Sequence, residues 1–224
     1  MMLTRVPVGR LSEPVPTLSE AAWAFPLVGL LTGGAGWVTL TAAVAVGFSP
    51  YLAALAALAA IVWLTGALHE DGLADFADGM GGGRDAAHCL DIMRDSRIGS
   101  YGVVALILVM AFKVTALAEI AQNALLALLL FLGVASRVLM LAVLIWLPSA
   151  RPNGLGHSAT GPHTGALLPG ATALLLIAIL LGPQALVITL GMALGAAVVA
   201  WIAYRRIRGQ TGDVLGATQS ISEA

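Results

Sequence analysis

Charge is scarce in this chain: Asp, Glu, Lys and Arg together make up 10% of 224 residues, against 59% hydrophobic. So few polar residues cannot coat a soluble globule of this length, and the long apolar runs mark a polytopic membrane protein. Basic clusters are also lacking beyond Arg205, Arg206 and Arg208, which sets aside a nucleic-acid partner. The single cysteine, Cys89, excludes an internal disulfide and has no CxxC or Cys/His ligand pattern around it, so packing is its expected role. His69, His88, His157 and His163 show neither HxxxH nor HExxH spacing, so a histidine-ligated metal is not expected. Residues 1–20 lack the apolar core of a cleaved signal peptide, carrying Arg5, Arg10, Glu13, Glu20 and three prolines instead. Targeting then rests on the first membrane-spanning helix.

A hydrocarbon core of about 30 Å calls for roughly 20 apolar helical residues. Residues 25–48, 51–68, 98–117, 123–147, 167–181 and 184–204 meet or approach that length. The expected fold is therefore all-α, a transmembrane bundle of about six spanning helices. It forms a single integral-membrane domain over residues 1–224, with no repeat or break in composition. The remaining segments are a polar leader (1–20), an acidic motif (69–97), a glycine- and proline-rich loop (148–166) and a tail (205–224). With the N-terminus in the cytoplasm, Arg5, Arg10, Arg84, Arg94, Arg97, Arg151, Arg205, Arg206 and Arg208 all fall on cytoplasmic segments, nine of the eleven basic residues. The predicted outer turns near Ser49, Gln122 and Pro183 hold none, as the positive-inside rule expects. This places both termini, the loop and the acidic motif on the cytoplasmic side, with membrane lipid around the spans. Lys113 and Arg137 lie within the third and fourth spans, where an unpaired charge costs about 2.5–3.5 kcal/mol or more. They are expected to face the interior, as counter-charges (for instance against Glu119) or as contacts to a substrate phosphate.

The polar residues that do occur are concentrated. Seven of the twelve acidic residues lie between Glu70 and Asp95. On a helix, Asp71, Asp75 and Asp78 occupy an arc of roughly 60°. Asp91 and Asp95 repeat the i, i+4 spacing on a second helix, and Gly81, Gly82 and Gly83 between them permit a tight reversal. Carboxylates gathered in this way repel one another unless protonated or bridged by a cation, and hard oxygen donors suit Mg²⁺, Mn²⁺ or Ca²⁺. The expectation is an acidic metal site at the cytoplasmic ends of helices 2 and 3, with Asp71, Asp75, Asp78, Asp91 and Asp95 as ligands. Such a site suits phosphoryl-type transfer on a diphosphate. Arg94, Arg97 and Lys113 are candidates to hold phosphate oxygens. Glu70 points away from the shared face, Arg84 and Asp85 read as a solvated turn, and His69 is placed to donate a hydrogen bond.

At these residues the chain resembles the cobalamin synthase family, the adenosylcobinamide-GDP ribazoletransferases. The family segment H-x-DG-x-x-D-x-x-DG is matched from His69 to Gly79, and the segment (acid)-I-M-R-D-S-R-x-G-x-x-G from Asp91 to Gly102. LTRVPV near the N-terminus and TGDVLGA near the C-terminus are also similar, so the likeness spans nearly the whole chain. The resemblance implies condensation of adenosylcobinamide-GDP with α-ribazole or its 5′-phosphate, releasing GMP, with one or two Mg²⁺ (Mn²⁺ as substitute), in the bacterial inner membrane. It makes Asp75, Asp78 and Asp95 the candidate catalytic residues. Arg94, Arg97, Lys113, Arg137 and Asp213 become candidate substrate contacts, Asp213 by folding back from the tail or else serving only as a turn former.

Two other readings share some features. CDP-alcohol phosphotransferases also pair D-x-x-DG with D-x-x-x-D, seen here at Asp75 to Gly79 and Asp91 to Asp95. Here, however, a glycine run with Arg84 replaces their following A-R. An ion transporter tolerates acidic clusters, but predicts them near the bilayer midplane and has no need of IMRDSRIGSYG.

Overall fold

A computed structural model of the chain describes residues 3–7, 17–123, 125–159, 161 and 164–224. Val8, the last residue of LTRVPV, lies outside the described residues, as do Arg10, Glu13 and His163. The described chain is helical, and its one β-type pairing is an isolated bridge between Ser149 and Gln210. In order, α1 (Leu18–Ala21) runs through a 3-10 turn into α2 (Phe25–Ala45), followed by α3 (Pro50–Thr65), α4 (Leu68–Gly82) and α5 (Ala86–Ile92). Then come α6 (Ser100–Ile120), α7 (Leu126–Trp146), α8 (Leu155–Ser158), α9 (Leu168–Leu181), α10 (Gln184–Ile207) and α11 (Gly212–Ser222).

Among the described residues, five helical segments are long and apolar enough to cross a membrane, and a sixth results if the bent pair α3–α4 is one span. α7 is the central helix: 67% of its apolar window is buried, against 11% for α6. α6, α9 and α10 turn Ile107, Leu108, Leu175, Ile179, Leu190 and Leu194 outward, as lipid-facing helices do. Arg205 lies 5.7 Å from the Trp201 ring centroid and Arg208 the same distance from Tyr204. Such aromatic and cationic side chains gather at a membrane–water boundary, and α10 ends there.

The bend between α3 and α4 positions the acidic motif. Ser49 caps α3, its hydroxyl accepting the Leu52 N–H, with Pro50 at the first helical position. The helix ends at two consecutive left-handed residues, Gly66 (φ 69°) and Ala67 (φ 59°), and α4 leaves at 89°. For an alanine this conformation is strained, and the N-terminal string braces it. Arg5 N–H donates to the Leu64 carbonyl at 2.8 Å, the Arg5 guanidinium packs over Gly66, and Leu3 and Thr4 are buried.

The segment expected as a tail, residues 205–224, is instead built into the bundle. α10 stops at Arg208, a left-handed cap (φ 58°). Gln210 then exchanges backbone hydrogen bonds with the loop after α7, its N–H to Pro148 O and its carbonyl from Ala150 N–H, both 2.8 Å. Thr211 caps α11 by accepting the Val214 N–H, and α11 re-enters between α4, α7 and α10. Its composition disguises this, because Thr218, Gln219, Ser220 and Ser222 are polar yet at most 3% exposed. Two of their hydroxyls are satisfied within the helix: Thr218 donates to Val214 O and Ser222 to Thr218 O, each at 2.7 Å.

The charges within the spans find their partner on the same segment. Glu223 accepts from Arg137 at 3.1 Å, Lys113 at 3.2 Å and the Ser136 hydroxyl at 2.9 Å. Lys113 and Arg137 thus face the interior, with Glu223 rather than Glu119 as counter-charge. Glu223 thereby satisfies both charges within the spans.

Candidate functional site

The site grows out of α4. Along this helix Asp71 is exposed, Asp75 is half-buried and Asp78 is 7% exposed. Asp78 is engaged on both oxygens: Gly99 N–H donates to Oδ2 at 2.7 Å and Gly102 N–H to Oδ1 at 2.8 Å. Those amides open α6, so Asp78 caps that helix from outside and lies at the positive end of its dipole. Asp85 does the same for α5, accepting the His88 N–H at 2.9 Å. From α10, Arg206 donates to the carbonyls of Met80 and Gly83, holding the reversal between α4 and α5.

α11 supplies the residue that completes the cluster. It crosses α4 where glycines face each other: a Cβ on Gly72 would lie 3.2 Å from the Asp213 Cα, and one on Gly216 the same distance from the Gly72 Cα. Without side chains at the crossing, the two backbones approach closely and Asp213 comes beside Asp71. The charges bearing on Asp75 are Asp71, Asp213 and Asp78, with Arg151 the opposing cation. Burial pushes the Asp213 carboxyl above its usual range, against the opposing pull of Arg151. Thr211 donates to Asp213 Oδ2 at 3.2 Å.

Arg151, treated in sequence only as a topological charge, stands among these carboxylates. Its Nη1 is 3.5 Å from Asp213 Oδ2, and its Nη2 donates to the Leu90 carbonyl at 3.0 Å. Its Nε is buried without a hydrogen-bond partner. Asp75, Asp91 and Arg94 lie within electrostatic range of it. The sequence signal was its place directly after the α7 span, before the turn-forming Pro152, Asn153 and Gly154.

The fold thus gathers Asp71, Asp75 and Asp213, with Asp78 bound to the start of α6, and sets Arg151 against Asp213 and Asp75, with Asp91 and Arg94 alongside. It leaves Asp95 with Arg97. Arg97 Nη2 lies 2.6 Å from Asp95 Oδ2 and its Nε donates to both carboxylate oxygens, on a side chain that is 87% exposed. These bonds hold the Asp95 carboxyl down, to about 2. Glu70 is turned the other way, toward Lys113, Glu223 and Arg137.

Among the described residues, no three His, Cys, Asp or Glu side chains converge as a ready-made metal cage. The donors are hard oxygens, several of them on one α4 face, and like charges outnumber Arg151. That chemistry fits Mg²⁺, which retains water and is held by one or two carboxylates together with substrate phosphates. One or two of Asp71, Asp75 and Asp213 would serve it, with water and substrate phosphates completing its shell.

Comparison with known proteins decides the family. The profile of the family described as cobalamin-5-phosphate synthase matches residues 1–224. The chain belongs to this family. A Bradyrhizobium diazoefficiens relative named adenosylcobinamide-GDP ribazoletransferase is 45% identical over 226 residues, covering 99% of this chain and 86% of the relative. Proteins of the same name from Xanthobacter autotrophicus and Azorhizobium caulinodans are 44% and 41% identical, each over 97% of this chain and 87% of the relative. No solved structure matches. In this member of the cobalamin-5-phosphate synthase family, Asp71, Asp75, Asp213 and Arg151 lie together where α4 and the start of α11 meet the loop after α7.

Proposed function

We propose that this protein joins adenosylcobinamide-GDP to α-ribazole or α-ribazole 5′-phosphate, giving adenosylcobalamin or its 5′-phosphate and GMP. The supporting observation is the gathering of Asp71, Asp75 and Asp213 beside Arg151 at one end of a membrane bundle, in a chain whose relatives carry that transferase name. A ribose hydroxyl of the ribazole, not the 5′ oxygen that carries the phosphate in α-ribazole 5′-phosphate, attacks the phosphorus bonded to the cobinamide arm. A new P–O bond forms, the P–O bond to the bridging oxygen breaks, and GMP carries that oxygen and its electron pair away. Asp75, at the centre of the carboxylates, accepts the proton of an attacking hydroxyl. Arg151 and Arg94 hold the diphosphate oxygens; the Arg151 Nε that lacks a partner supplies a donor for that purpose. Asp78 keeps α6 and α4 in register instead of meeting substrate.

One or two of Asp71, Asp75 and Asp213 would hold Mg²⁺, which would supply neutralisation of charge on the diphosphate. The arginines of the site end, Arg84, Arg94, Arg97, Arg151, Arg205, Arg206 and Arg208, support a cytoplasmic active site in a bacterial inner membrane. Purified protein supplied with adenosylcobinamide-GDP, α-ribazole and Mg²⁺ should release GMP. Release of CMP from a CDP-alcohol instead would overturn the proposal.

A further inference from the structure

A cavity of about 140 Å³ adjoins the carboxylate cluster. Phe25, Leu68, Met140 and Leu215, from α2, α4, α7 and α11, form apolar walls, and Asp71 and Asp213 line it from the cluster side. Phe25, Met140 and Leu215 are at most 9% exposed, so the cavity is built into the core. His69 also lines it, is 2% exposed, and has an Nε2 with no hydrogen-bond partner. A buried polar atom left in this way is costly, and a ligand that pairs with it recovers that cost.

The substrates of the transferase reading offer three groups to such a space. A corrin ring is several times too large. Guanine needs several donors and acceptors met along its edge at once, whereas His69 is the one hydrogen-bonding side chain set among the apolar walls, Asp71 and Asp213 lining only the cluster side. The base of ribazole is a flat bicycle with two methyl groups and a single free ring nitrogen, an acceptor. We infer that this cavity seats the dimethylbenzimidazole base of the acceptor nucleoside. His69 Nε2–H donates to the free ring nitrogen, and the ribose passes Asp71 and Asp213 to bring its hydroxyl to the carboxylates. The inference rests on the transferase reading and adds to it a specificity site for the lower base.

The test compares kcat/KM for α-ribazole with that for the benzimidazole riboside lacking both methyl groups, using the purified full chain. Met140→Phe narrows the cavity and should shift the ratio toward the smaller base by about tenfold or more, the scale on which hydrophobic pockets discriminate single carbon groups. A ratio does not depend on how much of the variant is folded. His69→Phe, which removes the donor, should raise KM for α-ribazole while leaving KM for adenosylcobinamide-GDP unchanged. If the wild type is active but neither the ratio nor the ribazole KM moves, the cavity is not the base site and the transferase reading stands. If the wild type releases no GMP with either acceptor, that reading falls and this inference with it.

Discussion

Arg137 and Glu223 meet 3.1 Å apart inside the bundle, joining the central helix α7 to the end of α11. Arg137 is wholly buried, and Lys113 shares the same carboxylate. Because α11 carries Asp213 at its other end, this ion pair anchors the helix that brings a fourth carboxylate to the site.

Removing the anchor should be severe. Glu223→Ala leaves two buried cations without their counter-charge, and breaking a buried pair in this way costs about 3–5 kcal/mol. Thermal unfolding in detergent should show a large loss for Glu223→Ala and a smaller one for Glu223→Gln, which keeps an acceptor for Ser136 and Arg137. Equal stability for wild type and Glu223→Ala would show that the network does not hold α11.

Asp78 and Asp71 should separate structure from chemistry. Asp78→Ala strips two charge-assisted caps from α6, a loss of about 3 kcal/mol, and should lower the melting temperature together with activity. Asp71→Asn removes an exposed charge from a crowded cluster, so activity should fall while stability stays unchanged or rises. Melting temperatures measured beside GMP release distinguish the two patterns.

Arg151→Gln should raise KM for adenosylcobinamide-GDP by about tenfold to a hundredfold, the range expected for losing charge-assisted contacts to a diphosphate. Arg151→Lys should restore little, because an ammonium cannot keep the Leu90 carbonyl and Asp213 while also donating to phosphate. Steady-state kinetics with ribazole saturating reads this directly.

Burial raises the Asp213 carboxyl in the folded chain above its unfolded value. The folded state therefore binds that proton more tightly, and ionised Asp213 destabilises the protein above its folded pKa. The penalty shrinks as pH falls through the folded pKa and is gone below the unfolded one. A divalent cation favours the ionised form, so Mg²⁺ should raise the melting temperature more at about pH 8 than at about pH 4.5. An Mg²⁺ effect independent of pH would contradict Asp213 as a metal-facing group.

Much of this architecture is written locally. Apolar runs specify spans through the thickness of the hydrocarbon core, and the acidic string from His69 to Asp95 reveals itself by contrast with them. Asp71, Asp75 and Asp78 share a face because helical periodicity requires it. Asp91 and Asp95 have the same spacing, yet the chain turns at Met93 to Arg97, α5 ends at Ile92, and Asp95 pairs with its neighbour Arg97. Periodicity predicts a shared face only while the helix continues.

The amino-acid sequence by itself determined a helical membrane protein, the location of its polar chemistry and, through its motifs, its family. These follow from hydrophobicity, helical spacing and residue identity, all properties of neighbours along the chain. Only the tertiary structure decided that α4 turns at right angles on Gly66 and Ala67, and that Asp78 caps α6. It alone brought Arg151 and Asp213 to the carboxylates and set Lys113 and Arg137 against Glu223. The physical reason is that a buried charge is tolerable only beside its partner, and here the partners lie tens of residues apart. Composition reads α11 as a polar tail, whereas the glycine crossing with α4 and the Glu223 ion pair draw it into the core.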